Sequence, residues 1–388
     1  PHLLRHDSGT MASVAMVVTN ACSPDPRVLR SAKVLSSAGH DVTIHAFDRN
    51  QASQMSESRD GFRIMRYHIG SFSYGAKWST LKGKRAFNKT VISTLLANPP
   101  HCVYCHDADT LVIGVKVANK TGARLVYDMH DLHHTWALME RPRSLLRRAV
   151  ARTMERTALN RAKRADLVVT SSGKRVNGIH SGFKEYLGSN GIPSIVVENR
   201  PYVQRDVQKT VKNKGWTVAC LGRVRELASF EWLIKAIELI PANQRPDLKV
   251  AGSGVAAEAV HQLLLGEASR LGINLQLSAA FEAHDLPKLM ADVNVMYAMY
   301  EPQRGNIMQG ALPVQMFDAA SFGVPTVVNS DCLMGEICLE EALGVPAQWG
   351  DPEAISAALL SLRGTNVEPT DRGFEQQTAL IAAVESLL

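Results

Sequence analysis

Residues 293–329 of this 388-residue chain have the sequence VNVMYAMYEPQRGNIMQGALPVQMFDAASFGVPTVVN. The apolar run Val293–Ala298 predicts a strand, and a polar loop follows it. Ala311–Phe322 predicts a helix, which Gly323 ends before a second apolar run at Thr326–Asn329. Because ligands bind beyond the carboxyl ends of strands in open parallel sheets, this loop is the first candidate site.

The helix that follows the loop indicates what the ligand contains. Its first turn would direct free backbone N–H groups at an anion. Asp318 lies two turns into that helix, where a carboxylate can accept hydrogen bonds from hydroxyl groups. The stretch therefore predicts a ligand that carries both phosphates and hydroxyls.

The same alternation of strand and helix runs through most of the chain, in two consecutive series. It predicts an α/β protein with two Rossmann-like domains, the first at 12–200 and the second at 201–370. A polar linker is expected at Val203–Lys214. The loop after the first strand lacks the G-x-G-x-x-G pattern that a dehydrogenase would carry there. The predicted strands are Val14–Thr19, Val42–Phe47, Arg63–Ile69, Cys102–His106, Arg124–Asp128, Asp166–Ser171, Ile195–Glu198, Thr217–Leu221, Leu248–Ala251, Ile273–Leu277, Val293–Ala298 and Thr326–Asn329.

Composition indicates a soluble globular protein with two unlike halves. No apolar run approaches the roughly 20 residues that span a bilayer. Between Met11 and Arg200, 28 Lys and Arg stand against 14 Asp and Glu, whereas from Pro201 to Leu388 the numbers are 14 and 22. The basic half favours an anionic partner. Cys102 and Cys105 form a C-x-x-C without a second ligand pair, so we expect buried thiols in a reducing cytosol and no zinc site.

Seven short segments resemble, in the same order, those of the GT-B glycosyltransferases, in particular the retaining family 4 that uses nucleotide sugars. In the first half they are Asp25-Pro-Arg-Val-Leu, Ala38-Gly-His-Asp-Val-Thr, Cys105-His106-Asp107 and Leu125-Val-Tyr-Asp-Met-His-Asp131. In the second half they are Leu221-Gly-Arg223, Ala251-Gly-Ser-Gly254 and the run from Asp318 to Pro325.

The resemblance implies two Rossmann-like domains facing each other across a cleft, the first for a sugar-containing acceptor and the second for a nucleotide-sugar donor based on UDP or GDP. The terminal helix, 371–388, would cross back to the first domain. No metal or other cofactor is implied. Arginine suits the leaving diphosphate because its fork binds phosphate oxygens. The candidates are His106 and Asp107 for catalysis, Arg223, Arg225, Gly252, Gly254, Arg304 and Asp318 for the donor, and Asp25, Arg27, His130 and Asp131 for the acceptor.

Three donor-side positions depart from the family pattern. The family commonly has a lysine shortly after the Gly-Arg pair, where this chain has Glu226-Leu-Ala-Ser229. The first of two paired acids falls on Gly310, and Gln315 stands where a related subset has lysine. Two alternatives therefore stay open: a degenerate GT-B protein that acts as a binding partner, and an enzyme similar to the sugar-nucleotide epimerases.

A basic segment at Arg141–Arg164 holds nine Lys and Arg against Glu155 alone. Such a helix can lie on an anionic membrane, with Leu145, Leu146, Val150, Met154 and Leu159 as its apolar stripe. The other interpretation is a solvated helix with that stripe in the core. Nucleic acid is not expected, because no reader motif accompanies the charge. The expected location is the cytoplasm, with the inner face of the membrane as an option.

Overall fold

The computed structural model describes residues 11–23, 25–69, 77–138, 144–201, 203, 215–302, 306–368 and 372–388. Its contacts divide the chain into two compact units. Unit 1 comprises Pro1–Gly173, Phe183–Glu198 and Glu375–Leu388, and unit 2 comprises Lys174–Gly182 and Asn199–Phe374. The segment Lys174–Gly182 was expected in the first domain, because the predicted boundary was a single one at residue 200.

Unit 1 is built on a sheet that, within the described residues, has eight strands in the order β3-β4-β2-β1-β5-β6-β7-β8. Every neighbouring pair is parallel except β3 and β4. The strands are β1 Ser13–Val18, β2 Asp41–Ala46, β3 Ser56–Arg59, β4 Phe62–Arg66, β5 Cys102–His106, β6 Arg124–Met129, β7 Leu167–Thr170 and β8 Ile195–Val196. The helices are α1 Pro26–Ser37, α2 Lys77–Ala97, α3 Leu111–Thr121, α4 Leu145–Ala162 and α5 Phe183–Ser189.

The first strand and helix show why this sequence forms parallel β-α-β units. Five of the six β1 residues are buried, as expected for a strand covered on both faces. Asp25 caps α1, since its side chain accepts a hydrogen bond from the backbone N–H of Val28. The apolar side of α1, which includes Val28 and Leu35, packs into the core of the unit.

The chain returns to unit 1 at its end. The last helix, α12, is Arg372–Glu385, and the unit boundary falls within it at Glu375. Leu380 and Val384 of α12 are buried in the core cluster that contains β1, β2 and α1. The final helix is therefore part of the first unit's core.

Unit 2 has a parallel sheet of six strands among the described residues, in the order β11-β10-β9-β12-β13-β14. The strands are β9 Thr217–Leu221, β10 Asp247–Ala251, β11 Leu275–Ser278, β12 Val295–Ala298, β13 Thr326–Asn329 and β14 Gly344–Ala347. The helices are α6 Ala228–Leu239, α7 Ala257–Leu271, α8 Leu286–Met290, α9 Val314–Ser321, α10 Leu333–Glu340 and α11 Pro352–Leu362. Both sheets together confirm the predicted α/β fold with two Rossmann-like domains.

One buried carboxylate in unit 2 binds the segments at which the chain passes between units. Glu341, which follows α10, is 1% exposed and accepts two hydrogen bonds from Arg200, at 2.6 and 2.8 Å. Arg175 and Arg372 bind it at 2.5 and 2.9 Å. Each of these arginines lies within three residues of a unit boundary. We call these four residues the Glu341 cluster.

The remaining boundary, after Gly182, is tied to the same helix. Glu336 of α10 accepts hydrogen bonds from the backbone N–H groups of Ile179 and His180, at 2.7 and 3.0 Å. Its carboxylate also lies 2.7 Å from Nδ1 of His180. Glu336 of α10 and Glu341 directly after this helix therefore hold the unit 2 side of each boundary.

Several local expectations were wrong or fall outside the described residues. The place of Asp107 directly after β5 predicts that it caps the next helix, but α3 begins at Leu111 and its N-cap residue is Thr110. The polar and basic composition of Ser71–Lys89 predicts a long loop, but the chain is helical from Lys77 onward. Most of the expected linker, residues 204–214, lies outside the described residues. All six cysteines are free thiols, five of them buried and Cys220 half-buried. Within the described ranges, no helix is long and apolar enough to cross a membrane.

Candidate functional site

A pocket of unit 2 lies at the carboxyl ends of β9 and β12, where the sequence predicted the donor. Two loops approach each other there: Gly222 donates its N–H to the carbonyl of Ala251, and Val224 donates to that of Ser253, at 2.9 and 3.1 Å. We call this the donor pocket. It is lined by Cys220, Leu221, Gly222, Arg223, Val224, Arg225, Glu226, Ser229, Phe230, Tyr297, Ala298, Met299, Tyr300 and Gln315.

Two predicted glycines make this close approach possible. A Cβ on Gly252 would lie 1.7 Å from the carbonyl oxygen of Gly222, and one on Gly254 would lie 2.0 Å from that of Val224. Gly252 also has a φ of +154°, which L side chains rarely adopt. Both glycines therefore shape the donor pocket through the backbone.

The predicted cations Arg223 and Arg225 both line the donor pocket and are exposed. Within the described part of the chain, the Arg223 guanidinium has no ion-pair partner. Two guanidinium groups at the mouth of a pocket can bind phosphate oxygens. Arg304, the third predicted cation, lies outside the described residues.

Helix α9 contributes the polar side chain of Gln315 to the lining of the donor pocket. The Tyr300 hydroxyl donates to the side-chain oxygen of Gln315, and burial raises the pKa of Tyr300, so this hydroxyl stays a donor. Asp318, one turn further along α9, is half-buried. Glu226 lies 9% exposed between the loops and accepts a hydrogen bond from the backbone N–H of Glu301, at 2.9 Å. Sequence reasoning assigned no role to Tyr300, which stands at no motif position, and Glu226 was noted only as part of the segment that lacks the family lysine.

The structure explains why the first family acid is absent. Gly310 has a φ of +97°, and a Cβ there would lie 2.6 Å from both the Cα of Gly182 and the carbonyl oxygen of Ser181. A carboxylate side chain would clash with this backbone. Residue 310 is thus a packing position in this chain and not a position for a sugar ligand.

In unit 1, the predicted catalytic and acceptor residues gather at the carboxyl ends of β5 and β6, but two of them differ from expectation. His106 was expected to face a cleft; it is 0% exposed, with its Nδ1 3.2 Å from Oδ2 of Asp128. Its ring stacks on Tyr104, with the centroids 4.8 Å apart. His106 is the last residue of β5 and pairs there with Asp128 of β6, and its ring lies buried inside the unit.

Arg27 was expected to bind an acceptor phosphate, and this is the second correction. Its Nε lies 3.1 and 3.0 Å from the two carboxylate oxygens of Asp128, and its Nη1 donates to the carbonyl of Val197 at 3.0 Å. The side chain is buried, because it starts on the core side of α1. Asp25 is occupied as the cap of α1 and also accepts a hydrogen bond from Asn20, at 2.8 Å.

Asp107 and His130 form the half-exposed part of this edge. Oδ1 of Asp107 lies 3.5 Å from Nδ1 of His130, and neither atom has a hydrogen-bond partner within the described residues. Asp107 has a φ of +65°, a strained conformation that is common at functional sites. Burial and repulsion by Asp109 and Asp131 raise the pKa of Asp107 well above its usual value. Burial and repulsion by Arg27 lower the pKa of His130.

The basic helix α4 divides its apolar residues between surface and interior. Leu145 and Leu146 are 80% and 76% exposed, and Val150 is 46% exposed. Met154 and Leu159, further along, line a small pocket with Asp131 and His134. Of the two interpretations of this helix, the one that places the whole stripe in the core is therefore wrong for the first two turns.

Comparison with protein families assigns the chain. A model described as glycosyl transferase 4-like domain matches residues 24–177, and one described as glycosyl transferases group 1 matches residues 215–364. Together they match more than three quarters of the chain. The chain belongs to the group 1 glycosyltransferases. The predicted resemblance and the assignment as an enzyme are thus confirmed.

Solved structures support the fold of this glycosyltransferase. Sucrose-phosphate synthase from Thermosynechococcus elongatus has a TM-score of 0.71 at 14% identity, over 97% of each chain. HepE from Anabaena, in complex with UDP and glucose, has a TM-score of 0.63 at 14% identity, over 97% of this chain and 98% of that one. WaaG, a glycosyltransferase involved in lipopolysaccharide biosynthesis, has a TM-score of 0.60 at 14% identity, over 96% and 93%. No curated protein sequence gives a significant match to the chain.

Proposed function

We propose that this glycosyltransferase moves a sugar, with retention of anomeric configuration, from a UDP-sugar to a hydroxyl group of an acceptor. The observation that carries the proposal is the donor pocket, in which Arg223 and Arg225 stand beside loops that Gly252 and Gly254 bring together. The UDP complex of the HepE structure favours uridine as the base; GDP is the alternative.

The donor is held from two walls of the pocket. Arg223 and Arg225 bind the diphosphate with charge-assisted hydrogen bonds. The start of α9 adds the partial positive charge of its free N–H groups. Asp318 accepts hydrogen bonds from the ribose hydroxyls. The two guanidinium groups and the start of α9 neutralise the leaving diphosphate without a metal ion. We propose that the reaction needs no cofactor.

Transfer then requires little covalent help from the protein. The bond between the anomeric carbon and the diphosphate breaks, and the acceptor oxygen attacks from the same face. The departing phosphate takes the proton of the acceptor hydroxyl, so UDP and the glycosylated acceptor are the balanced products. Asp107, His130 and Asp131 orient hydroxyl groups of the acceptor. The buried imidazole ring of His106 contacts the sugar when the substrate reaches it.

Calorimetry with UDP and GDP tests the donor assignment. We expect micromolar to millimolar UDP binding that Arg223→Gln weakens at least tenfold, whereas Arg270→Gln, an exposed arginine of α7, leaves it unchanged. No UDP binding at millimolar ligand would refute the proposal. NMR of the product reports whether the configuration is retained. Binding without turnover with any acceptor would instead indicate a degenerate enzyme, the alternative suggested by Gly310 and Gln315.

We also propose that the enzyme is cytoplasmic and binds the inner face of an anionic membrane through α4. Exposed Leu145 and Leu146 would enter the lipid boundary while arginines such as Arg148 and Arg152, also exposed, bind phosphates. Flotation with anionic vesicles should show salt-sensitive binding. The double variant Leu145→Glu/Leu146→Glu should lose it, and Leu239→Glu, at an exposed leucine of α6, should not. Equal flotation of both variants would contradict this proposal.

A further inference from the structure

The Asp128 carboxylate, at the end of β6, has no exposed surface and is held by Arg27. The guanidinium bonds both oxygens through Nε and reaches Oδ1 through Nη2 at 2.5 Å. Burial alone would raise the pKa of Asp128, but Arg27 and His106 hold it below its usual range. Asp128 is therefore a carboxylate at any physiological pH, although no motif argument had given it a role.

This carboxylate decides which nitrogen of His106 carries the proton. Nδ1 lies 3.2 Å from Oδ2, within ion-pair distance but not aligned as a hydrogen bond, so a small ring rotation is needed to form one. An ionised neighbour favours the tautomer protonated on Nδ1. Nε2 is then a buried acceptor with no hydrogen-bond partner among the described residues. Such an unpaired acceptor is unfavourable until a donor reaches it, and a substrate hydroxyl is a neutral group that can donate to it.

The backbone of the same residue fixes Asp107. The N–H of Asp107 donates to the carbonyl of Asp128 at 3.0 Å, which holds the left-handed turn in place. From the other side, the Thr110 hydroxyl donates to the carbonyls of His106 and Asp107, at 2.8 and 3.0 Å. Both candidate catalytic residues are thus set by contacts to Asp128.

We propose that Asp128 is a positioning residue of the transfer reaction: it fixes the ring orientation of His106 and the turn at Asp107. It touches no substrate itself. Arg27 serves the reaction by keeping this carboxylate in place and not by binding an acceptor phosphate. This inference rests on the proposed function, since it needs a hydroxyl-bearing substrate to reach Nε2 of His106.

The test is Asp128→Asn, which keeps the size of the side chain and removes its charge. We expect kcat for transfer to fall about 100-fold, the scale of a misplaced catalytic group. The Kd for UDP should change less than twofold, because the donor pocket lies in unit 2. The matched control is Asp166→Asn, an acid that accepts from the N–H of Leu125 near the opposite end of β6 and should leave kcat unchanged.

A double-mutant cycle separates positioning from general support of the fold. If Asp128 acts through His106, Asp128→Asn should cost little extra in a His106→Gln background. Additive losses, or a wild-type kcat in Asp128→Asn, would overturn the inference. A rise in the donor KM would assign the hydroxyl to the transferred sugar, and a rise in the acceptor KM would assign it to the acceptor. If the wild-type protein neither binds UDP nor transfers sugar, the proposed function has failed instead.

Asp128→Asn leaves the buried Arg27 without its anion, so this variant can unfold. The double variant Arg27→Met/Asp128→Asn removes both charges and leaves no unpaired buried charge. It therefore tests the positioning role of Asp128 even if the single variant unfolds. If it folds and binds UDP, a loss of about 100-fold in kcat supports the positioning role. A wild-type kcat in the double variant would refute it.

Discussion

Replacing Gln315 by lysine should tighten the binding of UDP. Gln315 lines the donor pocket with Arg223 and Arg225. Two unit charges 4 Å apart interact by about 4 kcal/mol at an effective dielectric constant of 20. An ammonium group on α9 would add an attraction of this order to the diphosphate.

Two effects in the structure reduce this gain. The variant loses the hydrogen bond from Tyr300 to Gln315, worth about 1 kcal/mol. The new ammonium is also repelled by the guanidinium groups across the open pocket, where solvent screens each charge. We therefore expect a net gain of about 1.4 kcal/mol, which is a tenfold lower Kd.

Calorimetry with UDP at low and high salt measures this change. The control is Gln262→Lys, which adds the same charge on α7, outside the lining of the donor pocket. The gain should appear only in Gln315→Lys and should shrink at high salt. An unchanged Kd, or an equal gain in the control, would refute the assignment of this pocket to the diphosphate.

Three further outcomes follow from the contacts. Gly252→Ala should lower the free energy of unfolding by about 1–3 kcal/mol and weaken UDP binding, because the new Cβ would lie 1.7 Å from the Gly222 oxygen. A variant with the stability and the Kd for UDP of the wild type would contradict this. Glu341→Gln should cost about 3–5 kcal/mol in urea unfolding, as it leaves the buried Arg200 without its anion; an unshifted midpoint would argue otherwise. Burial would raise the pKa of Asp109, but Lys84 holds it below its usual value, so their pairing stabilises the fold above about pH 4 and is lost as pH falls. Lys84→Met should therefore unfold at a higher pH in an acid titration followed by circular dichroism, and superposable curves would disprove the coupling.

The sequence predicted the central strands well because their signal is local. The predicted bounds of Cys102–His106 and Thr217–Leu221 agree with β5 and β9. The edge strand Ser56–Arg59 was missed because none of its four residues is apolar. The strand Gly344–Ala347 was missed because it holds a proline and lies at the sheet edge, where a missing N–H is tolerated.

The residues of the candidate site also divide into those with a local sequence signal and those without one. Gly252 and Gly254 could be predicted because both lie in one short sequence motif. The close approach of the two loops requires glycine at these two positions. Arg27 could not be assigned correctly, since the partner that occupies it, Asp128, is 101 residues away in the chain. The burial of His106 and the packing of Gly310 against Ser181 likewise depend on contacts that sequence spacing does not encode.

The Glu341 cluster has a consequence for recombining this enzyme with its relatives. The sequence predicted the second domain as one contiguous block, yet the buried Glu341 carboxylate is bound by Arg175 of the separate segment Lys174–Gly182 as well as by Arg200 and Arg372. A chimera that exchanges only residues 199–374 would leave Arg175 behind and bring in a foreign neighbour for Glu341. Modules of this enzyme are therefore interchangeable only as interleaved sets of segments, and a single splice point between them does not exist.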